Sequence, residues 1–409
     1  MKVRLLPEGA TADARRLLET RAIRAFGDGL VSVVLVPALA LAGLSSRRIG
    51  AVITATLVGS AVVTLGVGLR GHGLGRRRLL RVAALAMVAT GIGFAVVTRF
   101  WPLLLVAFVG TMNPSAGDVS IFLPTEQALL PQTVADSGRT ALFARYALAG
   151  SLLGAVGSLA AGVPELLSRH GVVSRSVALR GSFLAYAALG LLVLWRYAGL
   201  SPAVEPHTTV PAPLGPSRRI VYRLAALFSL DSLGGGFVVQ ALLALWLFRR
   251  FGLSVAVAAQ IFFWTGLLSA MSALVAVRLA RRIGLVRTMV FTHLPANALL
   301  ALTPFMPNLG LAIACLLARS ALSQMDVPVR TSYVMAVVTP AERSAAASVT
   351  NVPRSLVSAA GPFLAGWLLE RTTFGWPLVI GGVLKGVYDL LLLAMFVGVR
   401  PPEELRAAR

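Results

Sequence analysis

The chain has 409 residues, 57% of them hydrophobic and 13% charged, with a mean hydropathy of +0.80. That balance excludes a soluble globular protein of this length, and several runs of about 20 apolar residues are each long enough to cross a bilayer as a helix. The formal net charge of +22 calls for no nucleic-acid partner, because arginine gathered in loops on one side is what membrane orientation requires.

The chain opens with MKVRLLPEGATADARRLL. This stretch is charged and has no apolar core, so it is not read as a cleaved signal peptide. Residues 11–24 predict a basic helix on the membrane surface. Twelve spans follow, at 22–44, 49–69, 80–98, 102–130, 140–163, 176–198, 220–247, 253–277, 285–305, 308–338, 343–369 and 373–399. The fourth and tenth runs are too long for one crossing and are expected to continue past the membrane as helix. The expected organisation is a cytoplasmic segment 1–21, a six-helix bundle 22–198, a linker 199–219, a second six-helix bundle 220–399 and a tail 400–409. The linker, GLSPAVEPHTTVPAPLGPSRR, is Pro-rich and reads as a semi-extended tether.

Arginine sets the orientation. The amino terminus carries Lys2, Arg4, Arg15, Arg16 and Arg21, the second–third loop Arg70, Arg76, Arg77, Arg78 and Arg81, and the eighth–ninth loop Arg278, Arg281, Arg282 and Arg287. Loops of the other parity are poorer, so both termini are expected in the cytoplasm of a prokaryote, with the chain in its inner membrane.

The two halves repeat one another. Pro124–Arg139, PTEQALLPQTVADSGR, recurs at Pro328–Arg343 as PVRTSYVMAVVTPAER, an offset of 328 − 124 = 204 residues. Residues 124–163 and 328–367 agree at 10 of 40 positions, among them Pro124/Pro328, Arg139/Arg343, Gly157/Gly361 and Gly162/Gly366. The charge differs between copies, with Glu126 where Arg330 stands, and Asp28 and Asp231 lie 203 residues apart. Duplicated halves are common in transporters. Gly154, Gly157, Gly361 and Gly366 are expected to permit close helix packing.

Residues 68–78 read GLRGHGLGRRR. The segment resembles the G-x-x-x-D-R-x-G-R-R-[RK] loop of the major facilitator superfamily: Gly68, Gly75, Arg76, Arg77 and Arg78 fit, while His72 replaces the acid and Gly73 the following Arg. The resemblance implies an all-α integral membrane fold of twelve transmembrane helices in two pseudo-symmetric six-helix bundles. It also implies secondary transport with no catalytic residue, metal or cofactor. In that family the loop acid helps lock the outward-facing state, a role His72 cannot fill as an acid. Gly68, His72, Gly75, Arg76 and Arg77, with Arg139, Arg145 and Arg343, form the expected gating and structural set.

Ionisable groups in hydrocarbon are costly and mark pathways. Spans two, three, eight and nine carry no Asp, Glu, Lys or Arg in their interiors, and span nine has His293. The first span has Asp28, the fourth Asp118 and Glu126, the seventh Asp231, the tenth Asp326 and Arg330. In the family resembled, those four helices line the central cavity, so the six residues form the candidate substrate and proton site. Each has a plainer reading. Asp326 and Arg330, four apart, could neutralise one another. Glu126 could pair with Arg145 or with Arg76–Arg78 as a brace. Asp118, in NPSAGD, could sit at an ordinary Pro kink. Lys385 and Asp389, again four apart, read as a self-paired couple. Gln240, Trp264, Asn297, Gln324 and Asn351 could meet a polar substrate or bond a neighbouring helix.

Cys315 is the single cysteine, the four histidines show no zinc spacing, and there is no P-loop, GxSxG or HExxH. The expected function is secondary transport of a small solute by a monomer in the lipid bilayer, first as proton-coupled export of an amphipathic or drug-like compound. The alternative is uptake or facilitated diffusion of a small organic anion, with Arg330 as the partner of that anion. A non-transporting receptor or lipid-modifying enzyme would need a large loop or soluble domain, and the longest loop has 21 residues (199–219).

Overall fold

The computed structural model describes residues 6–7, 9–70, 75–115, 121–135, 138–205, 214–339 and 342–399. The described residues fold into helices and form no strand. In chain order these are α1 (Ala12–Leu41), α2 (Ser46–Arg70), α3 (Arg76–Val96), α4 (Phe100–Val109), α5 (Phe122–Leu129), α6 (Arg139–Ala160), α7 (Val163–Arg169), α8 (Arg175–Ala198) and α9 (Arg218–Phe237). Then come α10 (Gln240–Phe251), α11 (Val255–Ile283), α12 (Leu285–Leu302), α13 (Leu309–Leu322), α14 (Asp326–Val337), α15 (Arg343–Ser358), α16 (Gly361–Arg371) and α17 (Trp376–Phe396). Ten helical stretches among the described residues are long and apolar enough to cross a membrane.

Three expectations are corrected. The basic segment 11–24 is no separate surface helix, because it runs into the first span as one helix from Ala12 to Leu41. Its Ala14 and Leu17 are buried beside Leu130, Tyr146 and Tyr197, and that apolar burial outweighs the pull of its basic face toward headgroups. The fourth run does not continue as helix: α4 stops at Gly110, residues Thr111–Ser115 are non-helical, and α5 begins at Phe122. Pro114 cannot donate a helical hydrogen bond, and the Asn113 side chain accepts from the Ser115 amide at 3.1 Å instead. The tenth run also breaks, at Ser323–Met325 between α13 and α14. Pro328 explains it, since its ring would clash with the carbonyl four residues earlier. Pro362 stands in the same relation to the break between α15 and α16.

Contacts divide the chain into two compact units, Met1–Thr208 with Leu243–Phe263, and Thr209–Leu242 with Trp264–Arg409. In the first unit α1 packs on α6 and α8, and α3 on α8. A Cβ at Gly29 would strike the Gly154 carbonyl, and one at Gly157 the Phe26 carbonyl, so α1 and α6 approach to backbone contact. In the second unit α9 packs on α15 and α17, and α12 on α17. A Cβ at Gly236 would strike the Ser358 carbonyl, and one at Gly361 the Gly236 backbone. Gly157 and Gly361, which correspond in the two repeats, thus serve close helix contact in both.

The described ends of the 199–219 linker are held by carboxylates. In the first unit Asp13 accepts from the Ser201 hydroxyl at 2.5 Å, and Glu205 accepts from the backbone amides of Arg76 and Arg77 at 3.0 and 2.9 Å, where the start of α3 favours negative charge. In the second unit Glu342 accepts from the Gly215 amide, the Ser217 hydroxyl at 2.7 Å and the Thr339 hydroxyl at 2.6 Å. The Thr339 and Ser217 hydrogen bonds, then that of Gly215, hold the Glu342 carboxyl down to about 2. A depressed carboxyl stabilises the fold above its ordinary value, near 4.5, and that contribution is lost as pH falls toward 2. Glu342→Gln should therefore lower the melting temperature at pH 6 and flatten its fall between about pH 4.5 and 2. Melts of the two proteins across that window check this, and parallel curves would contradict it.

Candidate functional site

Each unit carries its own buried charge cluster. In the first, Glu126 on α5 is fully buried and surrounded by donors from three other helices. Arg24 on α1 forms an ion pair with it, the Tyr146 hydroxyl on α6 donates to it, Tyr197 on α8 donates at 2.6 Å and Thr20 at 2.7 Å. The Arg24 guanidinium also lies 4.3 Å over the Phe122 ring. A carboxylate with this many donors ties α1, α5, α6 and α8 together.

This corrects the expected partners of Glu126. Neither Arg145 nor the Arg76–Arg78 run pairs with it: Arg145 is half-buried with one terminal nitrogen lacking a partner, and Arg76 reaches the Ala128 carbonyl at 3.4 Å. The ion-pair partner of Glu126 is Arg24. The signal for Arg24 was its place inside the first span, four residues before Asp28.

Asp28, one turn along α1, is half-buried and accepts from the Tyr186 hydroxyl at 3.4 Å. Asp118 and His72 lie outside the described residues. Gly68 lies in α2, and Gly75 precedes α3 with its Cα against Glu205, where a Cβ would come within 3.2 Å of the carboxylate. Arg139 opens α6 and is exposed; Arg343 opens α15, and its side chain lies outside the described set.

The second unit holds a larger cluster. Asp231 on α9 is 3% exposed, accepting from Arg330 on α14 at 2.8 Å and Lys385 on α17 at 2.6 Å. Arg330 also meets Asp326 at 3.2 Å. So the expected Asp326–Arg330 pair is present, but Asp231 shares the guanidinium. His293 on α12 sets Nδ1 2.9 Å from Asp389 on α17 and Nε2 3.9 Å from Asp231. Asn297 donates to the other Asp389 oxygen at 2.8 Å. The reading of Lys385 and Asp389 as a couple is therefore wrong. An i,i+4 contact is worth about 0.3–0.5 kcal/mol, and each side chain finds a stronger, buried partner on another helix.

Arg354 on α15 completes the cluster. Its Nε donates to the Ser232 hydroxyl at 2.9 Å and a terminal nitrogen reaches the Asn351 carbonyl oxygen at 3.5 Å. In the second unit Asp231, Asp326 and Asp389 stand with Arg330, Lys385 and Arg354. Of the five amide and aromatic candidates, Asn297 joins the cluster and Asn351 adjoins it, while Trp264 and Gln324 are exposed and Gln240 is half-buried. No group of three or more His, Cys, Asp or Glu able to hold a metal occurs among the described residues.

Residues 20–318 and 225–409 match the profile of the Major Facilitator Superfamily. The chain belongs to this superfamily. It is a multi-pass membrane transporter. Among curated proteins it is 25% identical to the uncharacterized membrane protein YJR124C of Saccharomyces cerevisiae, over 95% of both chains. Among solved structures it resembles the nucleoside transporter NupG, at 14% identity and a TM-score of 0.70, with 94% of this chain and 99% of that one covered. It also resembles a D-xylose–proton symporter, at 15% identity and a TM-score of 0.70, covering 93% and 96%. At these identities the solved structures speak for the fold.

Proposed function

We propose that this transporter is proton-coupled and exports a small amphipathic compound by alternating access. The observation that carries this reading is Asp231, shared by Arg330 and Lys385 with His293 beside it. A carboxylate gripped by two cations holds its charge. A conformational change that withdraws either cation leaves that charge in a medium of low dielectric, where taking up a proton neutralises it. His293 is a fitting carrier, because an imidazole nitrogen can both accept and donate a proton. Its Nδ1 proton is engaged by Asp389, which leaves Nε2, toward Asp231, to gain or lose one. Asp28 is the counterpart in the first unit, 203 residues earlier on the repeat.

The arginine distribution supports both termini facing the cytoplasm, and on this proposal the chain lies in the inner membrane of a prokaryote as a monomer. Coupling is tested in proteoliposomes loaded with a pH-sensitive dye and challenged with a panel of amphipathic drugs. Wild-type protein should show solute-dependent proton movement, and Asp28→Asn should largely abolish it while still reaching the membrane. The sign of solute flux under an imposed gradient decides the direction. Solute flux indifferent to the gradient would make the protein a facilitator.

A further inference from the structure

Helix α15 is unlike the other spans. Ser348, Asn351, Ser355 and Ser358 recur at spacings of three and four, which lays one polar stripe along the helix. A lipid-facing surface does not carry such a stripe. Arg354 stands beside it, half-buried, on the helix that packs against α9.

Each carboxylate of the second unit's cluster is already engaged. Asp231 takes Arg330 and Lys385, Asp326 takes Arg330, and Asp389 takes His293 and Asn297. Among the described residues Arg354 is the cation left over: its hydrogen-bond partners are the Ser232 hydroxyl and the Asn351 amide oxygen, both neutral. Arg319 also lacks a carboxylate, but it lies in the last turn of α13, where free helix carbonyls favour a cation. Arg354 has no such explanation, being the twelfth residue of a sixteen-residue helix and outside its last turn.

A guanidinium in a membrane span without a counter-ion is costly, and it carries five donors in a planar fork suited to an oxyanion. Ser232, having accepted from Arg354, still has its own hydroxyl proton to donate, and the Asn351 side-chain amide can donate as well. We propose that Arg354, Ser232 and Asn351 form a subsite for the anionic head of the transported compound, a carboxylate or phosphate group. The subsite deepens the transport reading above and rests on it. Because Ser232 follows Asp231 directly, an anion bound there sits beside the proton-sensitive cluster, and its charge is felt at Asp231 and His293.

The test uses the purified full-length protein and four probes that share a phenyl group: 4-phenylbutyrate, phenyl phosphate, 4-phenylbutylamine and 4-phenylbutanol. Thermal shift without any gradient should show stabilisation by at least one of the two anions and none by the amine or alcohol. Arg354→Gln should weaken that binding about tenfold or more, the size of losing one charge-assisted hydrogen bond. Arg354→Lys should retain part of it, because a point charge replaces the fork, and Ser232→Ala serves where the Arg354 variants do not fold. Phosphate binding without carboxylate binding, or the reverse, identifies the head group. Anions that bind no better than the alcohol, or binding that survives both Arg354→Gln and Ser232→Ala, overturn the subsite. This outcome is separable from the coupling test. Anion binding through Arg354 with gradient-insensitive flux would leave the subsite and remove the coupling, and the converse result would do the opposite.

Discussion

Glu126→Gln should destabilise the folded protein by about 3–5 kcal/mol, the cost of stranding one member of a buried ion pair. Glu126 and Arg24 are 0% and 1% exposed, so water cannot take over as the partner of Arg24. The neutral amide can still accept from Thr20 or Tyr197, but it cannot cancel the guanidinium charge, and two tyrosine hydroxyls now compete for one weaker acceptor. The double variant Arg24→Gln/Glu126→Gln should recover a large part of the loss, because no uncompensated charge remains, and the cycle isolates the pair. Unfolding of all four proteins in mild detergent, followed by denaturant titration, gives the numbers. A single Glu126→Gln effect below about 1 kcal/mol would show that the cluster does not brace α1, α5, α6 and α8. Folded Glu126→Gln protein should keep its response to a pH gradient, since a brace holds helices and carries no proton.

The second large effect is at Asp231. Asp231→Asn should cut gradient-driven flux about tenfold or more and also lower stability, which a lone carboxylate in its place would not do. The structure assigns the stability cost to one residue. Arg330 keeps Asp326 at 3.2 Å, whereas Lys385 loses the one carboxylate it meets among the described residues. Asp231→Asn/Lys385→Met should therefore restore most of the stability while leaving flux blind to the gradient. Thermal melts and dye-reported proton flux on both variants separate the two roles. If the double variant recovers gradient-driven flux as well as stability, Asp231 is structural and the proton uses another group.

Much of the fold was legible because it is written locally. Apolar runs of span length, arginine-rich loops and the 204-residue repeat need no knowledge of distant contacts. Gly157 and Gly361 were readable for the same reason, as small residues repeated at one place in two copies. The breaks near Pro114 and Pro328 were visible as prolines, but whether the chain would kink or stop there depended on what accepted the freed backbone groups. Asn113 supplied that answer at the first.

A charge inside a span is legible in the sequence whatever its sign. Arg24 and Arg354 stand inside spans as Asp28 does, and with Arg330 they set three bases beside the five acids Asp28, Asp118, Glu126, Asp231 and Asp326. Spacing then misassigned the partners. Four residues on a helix make Lys385 and Asp389 neighbours, yet Lys385 goes to Asp231, 154 positions away, and Asp389 to His293, 96 away.

The sequence by itself determined the membrane class, the duplicated halves and the family, because hydropathy and periodicity act on a helix whatever it packs against. Only the tertiary structure decided which carboxylate meets which cation. In low dielectric a charge interacts strongly with the nearest opposite charge in space, and that distance is set by helix packing, through contacts such as Gly29 on Gly154 and Gly236 on Ser358, which sequence separation does not encode.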